Sequence, residues 1–177
     1  MADIDWAAVT AKLPSEKTPE AKAARKKIFN DIDSGNGILS LAEVDKGIRD
    51  VIKLDAVFDA KPAIMRAFQI AKDCVKSEKN PLRNDYIEFK EFRFFLLSLR
   101  QYFEYYVAFE RCDADNDHKI SKEEFVAAQD KIEVWVGKID AEKSFNEIDT
   151  NGGGSILFDE FCQWAITKNL DLEDDDD

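Results

Sequence analysis

The sequence predicts an all-α fold of four helix–loop–helix units, arranged as two paired lobes in one compact body. Apolar residues recur at helical spacing, and the alternation typical of strands is almost absent. One pattern also repeats four times along the chain. Each repeat has an aliphatic residue within its loop and a glutamate at the start of its second helix. The aliphatic residues are Leu39, Ile87, Ile120 and Ile156, and the glutamates are Glu43, Glu91, Glu124 and Glu160.

The first half of the chain contains a short helix and two of the repeats. Asp3–Lys12 is expected to form a helix that ends before Pro14. Thr18-Pro19-Glu20 starts the next helix, because it offers a hydroxyl N-cap, a first-turn proline and an acid near the helix N-terminus. The helices of these two repeats are expected to contain Ala24–Ile32, Val44–Ile52, Ala63–Val75 and Glu88–Leu99.

The second half contains the other two repeats. Their helices are expected at Tyr102–Arg111, Lys122–Val136, Asp140–Ile148 and Phe158–Lys168. Residues 89–109 hold nine of the 20 aromatic residues, which is more than one helical stripe accommodates. We therefore expect a short break or none between the second and third repeats, with the lobes packed together. Two ordinary lobe cores with some exposed aromatic residues are the alternative.

The composition argues against a membrane-spanning protein and favours the cytoplasm. The chain has 177 residues and is 45% hydrophobic, yet no uncharged apolar run approaches the ~18 residues that span a bilayer. No basic and apolar segment follows Met1, so we expect no secretory signal. Residue 2 is Ala2, so we also expect no N-terminal lipid anchor. Three scattered cysteines, Cys74, Cys112 and Cys162, suit a reducing compartment.

Charge is distributed unevenly along the chain. The net charge is −12, which argues against nucleic acid as a partner. Residues 1–100 contain 18 basic and 16 acidic residues, whereas residues 101–177 contain 7 basic and 21 acidic residues. We therefore divide the chain into an N-terminal lobe (1–100), a C-terminal lobe (101–170) and an acidic tail (171–177). Self-repulsion should keep the tail disordered.

The third loop has the pattern of a calcium site. Calcium takes six to eight oxygen ligands, and a twelve-residue loop supplies them from positions 1, 3, 5, 7, 9 and 12, the last being a bidentate carboxylate. Positions 1, 3, 5, 7 and 12 are Asp113, Asp115, Asp117, Lys119 (through its carbonyl) and Glu124. Ser121 at position 9 can act through water. Position 6 is His118 rather than glycine, so we expect strained backbone with positive φ there, not a metal ligand or a base.

The fourth loop is expected to bind calcium more weakly than the third. Its ligands at positions 1, 3, 7 and 12 are Asp149, Asn151, the carbonyl of Ser155 and Glu160. Gly154 at position 6 suits a positive φ, but Gly153 at position 5 brings no side-chain oxygen, so a water must serve there. We expect two calcium ions, both within residues 101–177, with Mg²⁺ able to occupy the sites at resting calcium.

The first and second loops are not expected to bind calcium. In the first loop Asp33 is position 1, which makes Glu43 the eleventh residue instead of the twelfth. In the second loop, counting back from Glu91 places Asn80, Leu82 and Asn84 at positions 1, 3 and 5. Both loops keep the aliphatic residue, so we interpret them as structural pairing elements.

Four segments carry a family resemblance: Val51-Ile-Lys-Leu-Asp55, Glu88-Phe-Lys-Glu-Phe-Arg93, Phe145-Asn-Glu-Ile-Asp149 and Phe158-Asp-Glu-Phe161. With the loops assigned as above, the chain resembles the calflagins, which are flagellar calcium-binding proteins of trypanosomatids in the EF-hand superfamily. The resemblance implies that the first two EF-hands are degenerate and that the last two bind calcium. Calflagins are acylated at an N-terminal glycine and cysteine, which this chain lacks. We therefore expect a cytoplasmic protein, and the resemblance implies the flagellum or cilium as its location.

Two functions follow from calcium binding. A calcium sensor with a narrow partner range would expose an apolar groove to a protein target that the sequence does not identify. A calcium buffer, the alternative, would only take up ions. An enzyme is not expected, because the sole histidine is His118 and no nucleophile–base pair is evident. Only two methionines are present, which argues against a promiscuous methionine-lined surface. We favour a sensor with a narrow partner range. We expect a monomer.

A basic helix face is predicted near the N-terminus. Lys22, Arg25 and Lys26 are spaced i, i+3 and i+4, so they would share one exposed side of the helix. This face is either simply solvated or a docking surface for anions. In the second case, contact with an anionic membrane would be weak and salt-sensitive, because each basic residue contributes only about 1 kcal/mol near the surface.

Overall fold

The computed structural model describes residues 3–74 and 81–172. These residues are mostly helical, as the sequence predicts, and they divide into two compact units, Ala2–Phe103 and Glu104–Asp177. In the described ranges, no helix combines the length and the hydropathy needed to cross a bilayer. Asn80 and the part of the predicted disordered tail from residue 173 onward lie outside the described residues.

Side-chain caps begin two helices of the first unit, Pro19–Ile32 and Leu41–Gly47. Thr18 accepts the backbone N–H of Ala21 and Pro19 occupies the first turn, as the sequence predicts. Ser40 and Glu43 form a reciprocal capping box at a later helix. The elements of this unit are α1 (Trp6–Lys12), α2 (Pro19–Ile32), β1 (Ile38–Leu39), α3 (Leu41–Gly47), a π-helical turn (Ile48–Ile52), α4 (Asp55–Asp59), α5 (Lys61–Asp73), a 3₁₀ turn (Pro81–Arg83), β2 (Ile87–Glu88) and the first part of α6 (Phe89–Cys112).

The second unit begins with the last part of α6. The elements that follow are β3 (Ile120–Ser121), α7 (Lys122–Ala127), α8 (Gln129–Val136), α9 (Ala141–Ile148), β4 (Ser155–Ile156) and α10 (Phe158–Lys168). Ser121 and Asp140 cap α7 and α9 by accepting backbone N–H groups at the third helical position. The bounds of α10 are those that the sequence predicts.

The mid-loop aliphatic residues join the loops in pairs. Leu39 pairs with Ile87 across β1 and β2, and Ile120 pairs with Ile156 across β3 and β4, both antiparallel. All four side chains are fully buried. The interpretation of the first two loops as pairing elements agrees with this register.

Aromatic residues build each core. In the first unit the ring of Phe29 lies 5.6 Å from that of Phe89 and 5.4 Å from that of Phe92. In the second unit the ring of Phe161 lies 5.7 Å from that of Phe109 and 5.9 Å from that of Trp164. Full burial of one such side chain stabilises a fold by about 1.5–3 kcal/mol.

The helix boundaries differ from the predictions at several points: α1 begins at Trp6 and not at Asp3, and the helix predicted at Val44–Ile52 ends as a π-helical turn. Phe89–Cys112 is one continuous helix, so the expected near-continuity between the second and third repeats is realised without a break. The helix predicted at Lys122–Val136 is instead divided at Ala128, whose φ of −89° and ψ of 3° leave the helical range. The N–H of Ala128 is shared between the carbonyls of Glu124 and Val126, which interrupts the regular hydrogen-bond ladder.

The predicted basic face is wrong at Arg25. This side chain is only 6% exposed, and its guanidinium donates to the carbonyls of Pro14 and Glu16 at 3.0 and 2.6 Å. Arg25 therefore fixes the segment between α1 and α2, and it is not available to an anionic partner. Lys22 and Lys26 are exposed, and the ammonium of Lys26 lies 4.4 Å from the centre of the Phe89 ring. Helical spacing places these residues on one side but does not show which of them the rest of the unit covers.

Candidate metal centre

Asp113 organises the third loop. It is 2% exposed, and its two carboxylate oxygens accept the backbone N–H groups of Asp117 at 3.3 Å and His118 at 2.9 Å. These bonds bend the loop back on itself. His118 has a φ of 65°, which is the left-handed backbone expected at position 6.

Three carboxylates converge in this loop. Oxygens of Asp113, Asp115 and Asp117 all lie within 4.8 Å of one another. The backbone N–H of Asp117 favours the ionised form of Asp115, but burial and the charges of Asp117 and Glu124 outweigh it, so the pKa of Asp115 is raised. Like charges this close repel one another, and a bound cation relieves that repulsion. The donor set is all oxygen, which fits calcium.

Glu124 closes the loop from the first turn of α7. One carboxylate oxygen accepts the N–H groups of Ala114 and Asp115 at 3.0 and 3.2 Å, and the other accepts the N–H of Ser121 at 2.8 Å. Burial opposes ionisation, but these hydrogen bonds together lower the pKa of Glu124. Position 12 is therefore an ionised carboxylate beside the start of the loop. Lys119 at position 7 donates its N–H to Asp117 at 3.0 Å.

The fourth loop repeats this arrangement with fewer charges. Asp149 accepts the N–H groups of Gly153 at 3.0 Å and Gly154 at 2.9 Å, and Gly154 has a φ of 82°. Glu160 accepts the N–H of Asn151 at 3.1 Å with one oxygen and that of Leu157 at 2.9 Å with the other. The backbone thus places Asp149, Asn151 and Glu160 together.

The last predicted ligand of the fourth loop, at position 7, lies in the strand pair. Ser155 belongs to β4 and pairs with Ser121 of β3, so the two loops share one short antiparallel ladder. Among the ligand positions, only Asp149 and Glu160 are negatively charged in the fourth loop, against four carboxylates in the third. Calcium fits the oxygen donors of both loops, and the third loop offers more charged ones.

The first loop is one residue shorter than these two. Asp33 accepts the N–H of Gly37 at 3.0 Å, and Gly37 has a φ of 77°. The corresponding bond spans four residues here, against five in the third and fourth loops. The residue is therefore missing between positions 1 and 6, where the first ligands would lie. In the second loop Leu82 is 85% exposed and offers no oxygen from its side chain.

One acid near the third loop was not identified from the sequence. Oε1 of Glu110 lies 3.8 Å from Nδ1 of His118, and both lie close to Asp113. Glu110 precedes Asp113 by three residues at the end of α6, so helical spacing was the available signal. Because Asp113 already belongs to the third loop, Glu110 and His118 lie beside that candidate site and do not form a separate one.

Comparisons with known proteins match both halves of the chain. The family model described as the FCaBP EF-hand domain matches residues 9–99, and the EF-hand domain pair model matches residues 103–166. Flagellar calcium-binding protein TB-17 of Trypanosoma brucei brucei is 38% identical over 98% of this chain and 76% of its own length. TB-24 of the same organism is 38% identical over 98% and 81%. The flagellar calcium-binding protein of Trypanosoma cruzi is 36% identical over 97% and 83%.

Proposed function

Because this chain belongs to the EF-hand family of flagellar calcium-binding proteins, we propose that it is a calcium sensor that binds two ions, at Asp113–Glu124 and Asp149–Glu160. The observation that carries the proposal is the convergence of Asp113, Asp115 and Asp117 within 4.8 Å. The fourth loop supports the second site through the same turn around its position-1 aspartate.

Each loop would supply its own set of oxygen ligands to one calcium ion. In the third loop, Asp113, Asp115, Asp117, the Lys119 carbonyl and Glu124 would hold the ion, with Ser121 acting through water. In the fourth, Asp149, Asn151, the Ser155 carbonyl and Glu160 would do so. Bound calcium supplies positive charge that offsets the repulsion of these carboxylates. Mg²⁺ is the competitor at resting calcium.

A sensor requires that binding at the loops reach the helices. Glu124 and Glu160 lie in the first turns of α7 and α10, so any movement of these carboxylates moves the helix that carries them. The ladder between β3 and β4 joins the two loops, which supports their acting together. Exposed apolar residues of the second unit, such as Val126 and Val134, are 40% and 58% exposed and offer a starting surface for a target.

The first unit is proposed to contain two degenerate EF-hands, which do not bind calcium but still pair through Leu39 and Ile87. With the two EF-hands of the second unit, the chain would contain four EF-hand units in two lobes. The compact packing of the lobes and the boundary near residue 100 stay predictions. Solution scattering checks the packing, since two separated lobes would contradict it.

The relatives are named as flagellar proteins, and we propose the flagellum as the location of this chain. Its partner there is proposed to be a protein target, and the chain itself a monomer. Contact with anionic membrane is proposed to be weak at most. Lys26 already stacks on Phe89, and Lys27 forms an ion pair with Asp31 at 2.7 Å, so fewer free charges remain than the sequence suggests.

Binding of an apolar fluorescent dye tests the sensor against the buffer. With the wild-type chain, calcium should increase dye fluorescence over that in chelator. A Glu124→Gln/Glu160→Gln variant, which lacks both closing carboxylates, should show no increase. If calorimetry shows that calcium binds while dye fluorescence stays constant, the chain is a buffer and the sensor proposal is wrong.

A further inference from the structure

The chain turns back on itself after α10. Asn169 adopts the left-handed conformation, with a φ of 50° and a ψ of 47°, and the N–H of Leu170 donates to the carbonyl of Ala165 at 3.1 Å. This reversal is a typical helix C-cap. It directs residues 170–172 away from the axis of α10 and towards other helices of the second unit.

Residues 170–172 dock on two other helices of that unit. The N–H of Asp171 donates to the carbonyl of Trp135 at 3.3 Å, at the end of α8, and the N–H of Leu172 donates to a carboxylate oxygen of Glu104 in α6 at 2.8 Å. Leu170 and Leu172 are 5% and 1% exposed. Two buried leucines thus belong to a segment that is hydrogen-bonded to α6, α8 and α10.

This occupant differs from an ordinary core element. Residues 170–172 belong to no helix or strand, and their attachments to the unit include two buried leucines and three backbone N–H bonds. Such a segment can leave without unfolding the helices beneath it, since local opening is easiest where few buried contacts hold the chain.

The docking site is also coupled to the calcium loops. α6 directly precedes the third loop. α10 directly follows the fourth loop, and residues 170–172 follow α10. In sensor EF-hand pairs, calcium changes the angle between the helices of each hand. α6 belongs to the third hand and α10 to the fourth, so changes in both hands would move Glu104 relative to Leu172 and would strain or break the bond between them.

We infer that residues 170–172 are an internal occupant of a target site, and that with calcium bound this site takes up a cationic amphipathic helix in their place. This inference rests on the sensor function proposed above. The charge of the partner follows from the 7 basic and 21 acidic residues of positions 101–177, a net of −14, which two calcium ions reduce but do not reverse. The apolar side of the partner helix must present aliphatic residues, because they would replace the side chains of Leu170 and Leu172.

The test uses the full-length chain and a synthetic helical peptide of leucine and lysine, with the leucines at helical spacing. A Leu170→Ser/Leu172→Ser variant removes the occupant's apolar side chains. An Ile166→Ser variant is the matched control, because Ile166 lies on α10 but is 44% exposed. With calcium present, the double variant should bind the peptide about tenfold more tightly than wild type, since no internal occupant competes. The control should match wild type.

Equal or weaker peptide binding by the double variant would overturn the inference. Hydrogen exchange on the wild-type chain gives a second readout that does not depend on the variant's stability. With calcium present, addition of the peptide should make the backbone amide of Leu172 exchange faster. If the peptide binds while that amide stays protected, the internal occupant is wrong and the sensor stands. If calcium changes neither dye binding nor peptide binding, the sensor proposal itself fails.

Discussion

The carboxylate of Asp113 accepts the backbone N–H of His118 at 2.9 Å, and His118 has a φ of 65°. This bond holds a residue with a side chain in backbone that normally favours glycine. Such a conformation costs about 1–2 kcal/mol in a residue other than glycine. The turn therefore stores strain within the loop that has the most ligands.

Replacing His118 with glycine should relieve this strain. Glycine loses about 0.4–1 kcal/mol more backbone entropy on folding, so the net gain in the free energy of unfolding should be at most about 1.6 kcal/mol. His118→Ala is the matched control, because it also removes the imidazole beside Glu110 but keeps the Cβ atom. Urea denaturation in chelator should rank the glycine variant above the alanine variant. Equal stabilities would mean that the backbone is not strained.

The fourth loop offers a gain-of-function test at Gly153. Gly153 lacks the positive φ of its neighbours Gly152 and Gly154, so an aspartate can adopt its backbone conformation. An added Cβ would lie 2.7 Å from Oδ1 of Asn151, so the side chain of this proposed ligand must shift slightly. Gly153→Asp supplies the missing ligand at position 5 and should tighten the fourth site about tenfold, because affinity follows the number of charged ligands. Calorimetry measures the change.

Gly153→Ala is the control for this substitution. It introduces the same Cβ contact with Asn151 but no ligand, so its calcium affinity should not rise. If the two variants bind calcium alike, position 5 of this loop does not face the ion and the assigned register is wrong.

The burial of Arg25 predicts a large difference between neighbouring basic residues. Arg25→Gln removes two charged hydrogen bonds to the α1–α2 segment and should lower the free energy of unfolding by about 2 kcal/mol. Lys22→Gln, at an exposed position of the same helix, should change it by no more than about 0.5 kcal/mol. Thermal or urea denaturation of the two variants and the wild type measures these changes in the free energy of unfolding. Similar losses would show that Arg25 contributes no more than a surface charge.

Sequence alone predicts the parts of this fold that local spacing encodes. Loop length and the positions of the acids are set within twelve residues, so the turns at Asp113 and Asp149 follow directly from the pattern. The division of a helix at Ala128 does not follow, because no proline or glycine marks it. The burial of Arg25 likewise depends on carbonyl groups about ten residues away, which helical periodicity does not reveal.

Glu133 predicts a pH-dependent contribution to stability. It accepts hydrogen bonds from Lys138, Gln129 and the N–H of Ile139, which together lower its pKa to about 2. Because the pKa is lower in the folded state, the stabilisation is present above the ordinary pKa of a glutamate and is lost as pH falls through about 2. Glu133→Gln should lower the melting temperature at pH 7, and the difference from wild type should shrink below pH 4. A difference that stays constant down to pH 2 would contradict this assignment.

Calcium titration calorimetry tests the central claim most directly. The wild-type chain should bind two ions. Glu124→Gln removes the bidentate carboxylate of the third loop and should leave one ion, bound with the weaker affinity of the fourth. Glu160→Gln, the matched substitution in the fourth loop, should leave the tighter one. A third ion in the wild-type chain, or an unchanged third site in Glu124→Gln, would contradict the account.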